Sequence, residues 1–423
     1  MDYRKRVVDD LLRRKLAGKG AVAIKGPKWC GKTTTAEQVA KSVLYMSDTR
    51  NRDQNIRLAS ISPETLLSGP TPRLIDEWQI APVLWDAIRH EVDHRDGHGH
   101  FILTGSVTIS DSDHQIRHSG TGRISTLVMR PMTLWESGES NGQVSLADLF
   151  RGEAPRGESS LTLADIAFAT CRGGWPDSLT MERDIALSQA FDYIDTAAET
   201  DILEADNARR DPQLVRRLLR SLARCQGAQA PLTTLRDDVK ANSTSSLSED
   251  TVASYMNALR RIFVIEDMPA WNPNLRSKTA IRTSDNRYFV DPSIATAALG
   301  LGPNDLIQDL NTFGLIFETL CARDLRVFAQ ALDGEVFHYR DKDKLECDAV
   351  VHLRNGSYGL IEVKLGGDKL IDEGAANLNK LAAKIDTSKM REPAFMMVLT
   401  AVGQYAFRRD DGVCVVPIGC LRP

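Results

Sequence analysis

A glycine-rich segment near the amino terminus constrains this chain more than any other feature. Residues Gly26-Pro27-Lys28-Trp29-Cys30-Gly31-Lys32-Thr33 match the pattern G-x-x-x-x-G-K-[ST]. A β-branched, apolar stretch at 21–25 precedes the segment, and residues 34–43 contain helix formers without Gly or Pro. The sequence therefore predicts a buried parallel strand, a phosphate-binding loop and a helix, in that order.

The residue types of this loop indicate how it would bind a nucleotide. Glycines let successive backbone N–H groups converge on phosphate oxygens, Lys32 supplies a point charge for the outer phosphates, and the Thr33 hydroxyl suits the shell of Mg²⁺. We therefore expect ATP and Mg²⁺ as ligands; a chance Lys-Thr pair in an ordinary strand-to-helix turn is the alternative. The expected nucleotide contacts are Gly26, Pro27, Lys28, Trp29, Cys30, Gly31, Lys32, Thr33 and Thr34.

An acidic pair follows the next short apolar run of the same region. Asp76 and Glu77 come directly after Leu74-Ile75. A P-loop ATPase needs an acid at a strand end for the Mg²⁺ shell and a second carboxylate that polarises the attacking water. We expect Asp76 to bind Mg²⁺ together with Thr33, and Glu77 to act on the water. An exposed acidic turn is the alternative interpretation.

Further polar residues are candidates for contact with the γ-phosphate. Thr104 and Ser106 lie at the end of the apolar run 101–104, where a hydroxyl could sense that group. Transition-state charge on the γ-phosphoryl group is normally met by an arginine. Arg123, in Gly120-Thr121-Gly122-Arg123, is the candidate, acting either in its own site or across a subunit interface.

Length and composition limit the number of domains and the class of protein. A chain of 423 residues predicts about three domains, and 42% hydrophobic with 26% charged residues is typical of a globular protein. The net charge of −4 means that any nucleic-acid contact must use local basic surfaces. Seven cysteines without a C-x-x-C spacing favour a reducing compartment. Because no run of eighteen apolar residues occurs, we expect a cytoplasmic protein that makes no membrane contact.

Pattern changes along the chain divide it into three predicted domains. Helix and strand patterns alternate in residues 1–160, which predicts an α/β P-loop domain with a parallel sheet. A polar stretch at 138–159 is typical of a loop or boundary. Residues 161–280 are predicted to be helical, and residues 281–423 form a separate α/β unit.

A helix with an arginine face begins at Asp211-Pro212. Its apolar residues, 214, 215, 218, 219 and 222, share one face; the opposite face carries Arg216, Arg217, Arg220 and Arg224. A helix at 232–239, a polar turn at 242–245, a capped helix at 248–261 and a strand at 262–266 follow, which is the order of a winged helix. We expect DNA to contact these arginines and the helix 248–261. A solvated face, or one paired with acids of a neighbouring domain, is the alternative.

Two strand patterns near the carboxyl terminus carry charged residues. Asp348 lies in one strand, and Glu362 and Lys364 lie on one face of the next. Two carboxylates that hold Mg²⁺ beside a lysine suit phosphodiester hydrolysis. A two-residue Asn355-Gly356 loop would turn Asp348 to the wrong side, whereas a three-residue loop, 355–357, pairs it with Lys364, and we predict the latter. A buried structural Asp beside a surface Glu-Lys pair is the alternative.

Taken together, these motifs resemble a family of prokaryotic P-loop ATPases of the AAA superfamily that end in a domain of unknown function. The resemblance rests on Gly26–Thr33, Ile75-Asp76-Glu77-Trp78-Gln79, Leu103-Thr104-Gly105-Ser106, Gly122-Arg123, Gly173-Gly174-Trp175-Pro176, Tyr193, Asp201-Ile202, Arg287-Tyr288-Phe289-Val290-Asp291, Phe317-Glu318, Glu346-Cys347-Asp348 and Ile361-Glu362-Val363-Lys364. It implies a winged helix followed by a restriction-endonuclease-like, PD-(D/E)XK-type fold, with Glu318 added to the catalytic set. Cys347 stands where that pattern has Pro.

Two functional hypotheses follow. The first is a Mg²⁺-dependent ATPase whose nucleotide state repositions a DNA-binding winged helix and a nuclease-like module. The second is an ATP-driven switch whose carboxyl-terminal fold is non-catalytic and serves protein binding or assembly. A homo-oligomer is compatible with either.

Overall fold

The computed structural model describes residues 3–107, 120–206, 208–240, 247–273 and 284–423. The chain divides into two compact units. The first comprises Met1–Arg130 with two short returning segments, Leu203–Ala208 and Arg261–Phe263, and the second comprises the remainder. The continuous part of the unit that carries the P-loop thus ends at Arg130, whereas the sequence predicted a domain boundary near residue 160.

The first unit contains a five-stranded sheet with the order β2-β3-β4-β1-β5, in which every neighbouring pair is parallel. This confirms the predicted parallel sheet. Its strands are β1 (Ala21–Lys25), β2 (Ser42–Tyr45), β3 (Arg73–Asp76), β4 (Phe101–Gly105) and β5 (Ile124–Val128), and its helices are α1 (Val7–Gly18), α2 (Lys32–Glu37), α3 (Arg52–Ile61), α4 (Pro63–Leu67) and α5 (Val83–His94). The helix predicted at 34–43 is wrong in length, because α2 ends at Glu37 and Val43 lies in β2.

Strand alternation gives this sheet an apolar core on each face. In β1, Ala21 and Ala23 pack with Leu84 and Ile88 of α5. Residues of α1, including Leu12, cover the other face together with the alternate β1 side chains. A sheet buried on both faces needs continuous apolar strands. This requirement explains why the run before the P-loop contains no polar residue until its last position.

The second unit contains a seven-stranded mixed sheet with the order β7-β12-β13-β11-β10-β9-β8. The seven strands are β7 (Gly157–Glu158), β8 (Gly334–Arg340), β9 (Glu346–Leu353), β10 (Tyr358–Lys364), β11 (Phe395–Thr400), β12 (Tyr405–Arg408) and β13 (Cys414–Pro417). Two further strands, β6 (Val144–Ser145) and β14 (Leu421–Arg422), form a separate two-stranded sheet. The stretch 138–159 is not simply a loop, because β7 pairs with β12 and β6 pairs with β14. It therefore belongs to the carboxyl-terminal fold.

Twelve helices accompany these strands in the described part of the chain. They are α6 (Leu134–Ser137), α7 (Leu146–Phe150), α8 (Leu163–Arg172), α9 (Arg183–Thr196), α10 (Ile202–Glu204), α11 (Pro212–Ala223), α12 (Leu232–Lys240), α13 (Glu249–Arg261), α14 (Pro292–Leu299), α15 (Pro303–Gln308), α16 (Leu310–Ala331) and α17 (Asp368–Lys384). Within the residues described, no helix is both long enough and apolar enough to cross a membrane.

Helices α11, α12 and α13 lead into a short antiparallel ladder. Val290 N donates to Val264 O, and Met268 and Asn286 exchange both backbone hydrogen bonds. Arg287 pairs in the same way with the segment 227–228. The strand predicted at 262–266 is thus shifted, since pairing begins at Val264. The predicted turn 242–245 lies outside the described residues.

A buried ion cluster accounts for the Gly-Gly-Trp-Pro motif. Arg323 of α16 contacts Asp291 at 2.9 Å and Asp324 at 2.8 Å, and all three side chains are almost fully buried. Asp291 also accepts the backbone N–H of Gly174. A Cβ on Gly174 would approach the backbone oxygen of Met132 to 2.1 Å. The motif is therefore explained by packing around a buried charge.

Candidate functional site

The parallel register brings the predicted ATPase residues to the carboxyl edge of the first sheet. Asp76, at the end of β3, is level with Thr104 of β4, and Thr104 is level with Ile24 of β1. Thr33 Oγ1 and Thr104 Oγ1 both donate to Asp76 Oδ1, each at 2.7 Å. In the structure the Thr104 hydroxyl orients Asp76. A contact of Thr104 or Ser106 with the γ-phosphate stays a prediction.

Two lysines of the phosphate-binding loop form contacts that hold it in place. Lys32 is buried, and its Nζ donates to the backbone oxygen of Pro27 at 2.7 Å. Lys28 forms an ion pair with Glu204 at 2.9 Å. Trp29 has the left-handed φ of 66° and exposes 45% of its surface. Such a conformation in a non-glycine residue is typical of functional turns.

Close backbone approach explains the remaining loop positions. A Cβ on Gly26 would lie 2.0 Å from the backbone oxygen of Met129, and Cys30 is fully buried with its Sγ 3.6 Å from the same oxygen. Gly31 has a φ of 95° and directly precedes α2, whereas Thr34 is exposed. Gly26, Cys30 and Gly31 are therefore fixed by the backbone packing of the loop, and Lys32 and Thr33 begin the helix that follows it.

Glu77, directly after β3, is partly buried and accepts two side-chain hydrogen bonds. Its backbone φ is 52°, a left-handed conformation that costs free energy in a non-glycine residue. Its Oε2 accepts from Ser106 Oγ at 3.3 Å and from Gln79 Nε2. Burial raises the pKa of Glu77, opposed by the charge of Lys32. Gln79 was not predicted as a site residue, although it stands in the quoted Asp-Glu-Trp-Gln segment.

Arg123 lies at the wrong edge of the sheet to act on its own P-loop. It precedes β5, and its backbone oxygen accepts from Ala21 N at the start of β1. The P-loop follows the other end of β1, a strand of five residues that spans about 16 Å. The exposed Arg123 side chain contacts Asp93 at 2.7 Å. The expectation that Arg123 acts in its own site is therefore wrong.

The carboxyl-terminal candidates do meet on one face of their sheet. Lys364 Nζ lies 2.7 Å from Glu362 Oε2 and 3.6 Å from Asp348 Oδ2. The hairpin has a three-residue loop, but the loop is 354–356, because Leu353 N donates to Ser357 O. Because Ile361 pairs with Ala349, Asp348 lies opposite Glu362 and not opposite Lys364. Asp348 thus lies on the same face as Glu362 and Lys364, as predicted. Its cross-strand partner is Glu362, two residues before the predicted Lys364.

Glu318 joins this cluster from α16. Burial, and after it the charge of Asp348, raise the pKa of Glu318 to about 8. The Tyr288 hydroxyl donates to Glu318 Oε1, and a Cβ on Gly227 would lie 2.7 Å from both of its oxygens. Tyr288 and Gly227 were not predicted as site residues. A tyrosine in an apolar strand carries no sequence signal for such a contact.

Hydrogen-bond donors of the protein itself already contact the carboxylates of Glu362 and Asp348. Asn377 of α17 donates to Glu362 Oε1 at 2.7 Å, and Val363 N donates to Asp348 Oδ2 at 2.7 Å. Burial, and to a smaller extent the charge of Asp348, raise the pKa of Glu362 to about 7. Within the described residues, no group of three or more His, Cys, Asp or Glu side chains is arranged to hold a metal ion. Lys364 supplies the positive charge between the two carboxylates.

The predicted arginine face is partly neutralised inside its own unit. The apolar face of α11 is buried as expected. Arg216 pairs with Asp195 at 2.8 Å and with Glu199 at 2.6 Å, and Arg224 pairs with Asp238 at 3.0 Å. Arg217 and Arg220 form no ion pair in the part of the chain that the structure describes. Two of the four arginines, Arg216 and Arg224, therefore pair with acidic residues, as the alternative interpretation proposed.

Comparison with known proteins agrees with the first unit's geometry. Residues 18–137 match a family model described as an AAA domain. Residues 163–305 and 313–421 match two models described as domains of unknown function, DUF8612 and DUF4143. The AAA match and the parallel sheet support a P-loop ATPase of the AAA type, followed by a DUF4143 region.

Two full-length relatives are also similar to this chain. They are the uncharacterized proteins Mb2031c of Mycobacterium bovis and Rv2008c of Mycobacterium tuberculosis. Each is 24% identical over 415 residues, which covers 96% of this chain and 82% of the relative. The similarity therefore extends across both compact units.

Proposed function

We propose that this protein binds ATP with Mg²⁺ and hydrolyses it at the carboxyl edge of the first sheet. The observation that carries the proposal is the shared contact of Thr33 and Thr104 with Asp76 Oδ1, beside the P-loop lysine. A hydroxyl and a carboxylate side by side are the oxygen ligands that Mg²⁺ prefers, so the residues fit the ion. When bound, Mg²⁺ neutralises developing charge on the phosphate oxygens.

Each residue of this site has a defined role in the proposed reaction. Lys32 leaves Pro27 to contact the outer phosphates, and backbone N–H groups of the loop position them. Asp76 and Thr33 hold the metal shell. Glu77 accepts a proton from the attacking water, a task for which its raised pKa brings it closer to neutral pH.

Substitution of Lys32 tests the proposal directly. We expect Lys32→Ala to lower ATP turnover by at least about 100-fold, since the charge that orients the phosphates is lost. The matched control is Lys41→Ala, a lysine of the same unit that follows α2. Turnover in Lys32→Ala equal to that of the parent would refute the proposal.

The second unit supports a further candidate function, which is DNA binding coupled to phosphodiester cleavage. Three helices followed by an antiparallel ladder support a winged helix. The cluster of Asp348, Glu362, Lys364 and Glu318 supports a site of the restriction-endonuclease-like type. Asp348 and Glu362 would hold Mg²⁺ only after their contacts with Lys364 rearrange, because Lys364 lies between them.

Two measurements separate cleavage from a non-catalytic role. We expect Mg²⁺-dependent nicking of plasmid DNA by the parent and none by Glu362→Gln. Equal nicking by both would assign the activity elsewhere, and none by either would favour a binding or assembly platform. For DNA contact, the double variant Arg217→Ala/Arg220→Ala should reduce the salt dependence of binding by about two charges. An unchanged slope would exclude this helix face.

A further inference from the structure

Gln79 contacts the proposed general base through one end of its amide and buries the other end without a partner. Its Nε2 donates to Glu77 Oε2, whereas Oε1 is buried and forms no hydrogen bond with any described residue. Reversing the amide would place its oxygen against a carboxylate, so this orientation is the favourable one. A buried carbonyl oxygen without a donor costs free energy and indicates a missing partner.

The chain makes room for this arrangement. Gln79 lies in a 3₁₀ turn formed by Trp78–Ile80, directly after the left-handed Glu77. A Cβ on Gly105, at the end of β4, would lie 2.6 Å from Gln79 Oε1. A side chain at position 105 would therefore displace the amide from its place beside Glu77.

One oxygen of the Glu77 carboxylate accepts the hydrogen bonds of both neighbouring side chains. Ser106 and Gln79 engage Oε2 of Glu77, and no hydrogen bond reaches Oε1 from the described residues. We propose that Gln79 is a positioning residue for ATP hydrolysis, which fixes the Glu77 carboxylate through its N–H and accepts a hydrogen bond from the attacking water through its carbonyl oxygen. This inference rests on the ATP hydrolysis proposed above.

The proposed hydrolysis transfers one proton to Glu77 and the γ-phosphoryl group to water. One O–H bond of the water breaks, and its proton passes to Glu77 Oε1. The water oxygen forms a bond to the γ-phosphorus, and the bond from that phosphorus to the bridging oxygen of ADP breaks. The second O–H of the water remains hydrogen-bonded to Gln79 Oε1 throughout. Gln79 therefore exchanges no proton and acts only through orientation.

Gln79→Met tests this role, because methionine has a similar length and neither donates nor accepts strongly. We expect kcat to fall about 10- to 100-fold, with the affinity for the ATP analogue AMP-PNP, measured by calorimetry, within about twofold of the parent. Retained affinity shows that the P-loop is intact. The matched control is Gln54→Met, on the exposed surface of α3, which should keep the parent kcat.

A double-mutant cycle shows whether Gln79 acts through Glu77. If it does, Glu77→Gln/Gln79→Met has the kcat of Glu77→Gln alone, because groups that work as one unit are not additive. Gly105→Ala is an independent probe. Its new methyl group displaces the Gln79 amide and should reproduce the loss of kcat without a loss of AMP-PNP affinity.

The outcomes distinguish this inference from the proposal on which it rests. Turnover that does not depend on Lys32 refutes ATP hydrolysis at this site, and the Gln79 role with it. Turnover that depends on Lys32 but is unchanged in Gln79→Met and in Gly105→Ala refutes only the Gln79 role. A fully additive cycle would likewise show that Gln79 does not act through Glu77.

Discussion

Thr104 donates a hydrogen bond of 2.7 Å to Asp76 Oδ1, the same oxygen that accepts from Thr33. Both Thr104 and Asp76 are buried. A carboxylate that two hydroxyl groups orient is restricted in rotation, which suits a metal ligand. Partners of metal ligands are typically worth about 10- to 100-fold in metal affinity.

Thr104→Val should therefore weaken the affinity for Mg²⁺ without unfolding the sheet. Valine keeps the shape of threonine and removes the hydroxyl, so Asp76 loses one of its two orienting contacts. We expect the Mg²⁺ concentration for half-maximal ATP turnover to rise about tenfold. Thr126→Val, on the exposed face of β5, is the control. An unchanged Mg²⁺ requirement would mean that Asp76 is positioned by other groups.

Arg123→Ala should leave the intrinsic turnover of a single chain nearly intact. The residue lies at the amino edge of the sheet, and its pair with Asp93 is exposed to solvent and therefore contributes little to stability. We expect turnover within about twofold of the parent in dilute protein. If chains associate, the variant should fall behind only at higher protein concentration, because Arg123 would then be missing from a neighbour's site. A loss that is independent of concentration would contradict this placement.

The free energy of unfolding should fall as pH rises from about 4.5 to about 8. Burial raises the pKa of Glu318 to about 8, so in that interval the folded state holds a proton that the unfolded state has released. Stability from this group is complete below the unfolded pKa and is lost as pH rises through the folded pKa. Glu362, whose pKa burial raises to about 7, acts in the same direction.

Glu318→Gln should remove much of this slope in urea unfolding with EDTA present. Glutamine keeps an oxygen for the Tyr288 hydroxyl and does not titrate. Glu335→Gln, on the exposed side of β8, is the control and should keep the parent slope. A parent whose stability rises with pH in this range would show that Glu318 is ionised in the fold.

Lys364→Met should destabilise the protein and make its stability responsive to Mg²⁺. The substitution leaves Glu362 and Asp348 without their shared cation, at a cost of about 3 kcal/mol. If the cluster can accept a divalent ion, millimolar Mg²⁺ should raise the melting temperature of the variant more than that of the parent. Lys369→Met, which is 89% exposed, is the control. Equal responses would argue against a metal site here.

Structural elements that a few neighbouring residues determine could be predicted from local sequence patterns. The buried β1 strand, the P-loop and the common face of Asp348 and Glu362 all follow from periodicity and spacing. The loop of the β9–β10 hairpin was predicted with the correct length but one residue too late. Gly356, with a φ of 85°, is its last residue, and three-residue hairpin loops commonly end in this conformation.

Contacts between distant segments could not be predicted in this way. Arg123 follows a turn-rich segment, and nothing in its neighbours tells at which edge of the sheet it lies. Tyr288 and Asn377 reach their carboxylates from segments far along the chain from them. Arg216 is neutralised by acids on another helix. These relationships are set by tertiary packing, which the sequence pattern does not encode locally.

Gln226 ties the ladder of the helical region to α16. Its Oε1 accepts from Phe289 N at 2.9 Å and from Thr319 Oγ1 at 3.0 Å, and its Nε2 donates to Leu222 O at 2.9 Å. Phe289 and Thr319 are the immediate neighbours of Tyr288 and Glu318. A single buried amide thus joins the end of α11 to the strand and helix that meet at Glu318. A displacement of α11 would therefore disturb the hydrogen bonds that hold the immediate neighbours of Tyr288 and Glu318.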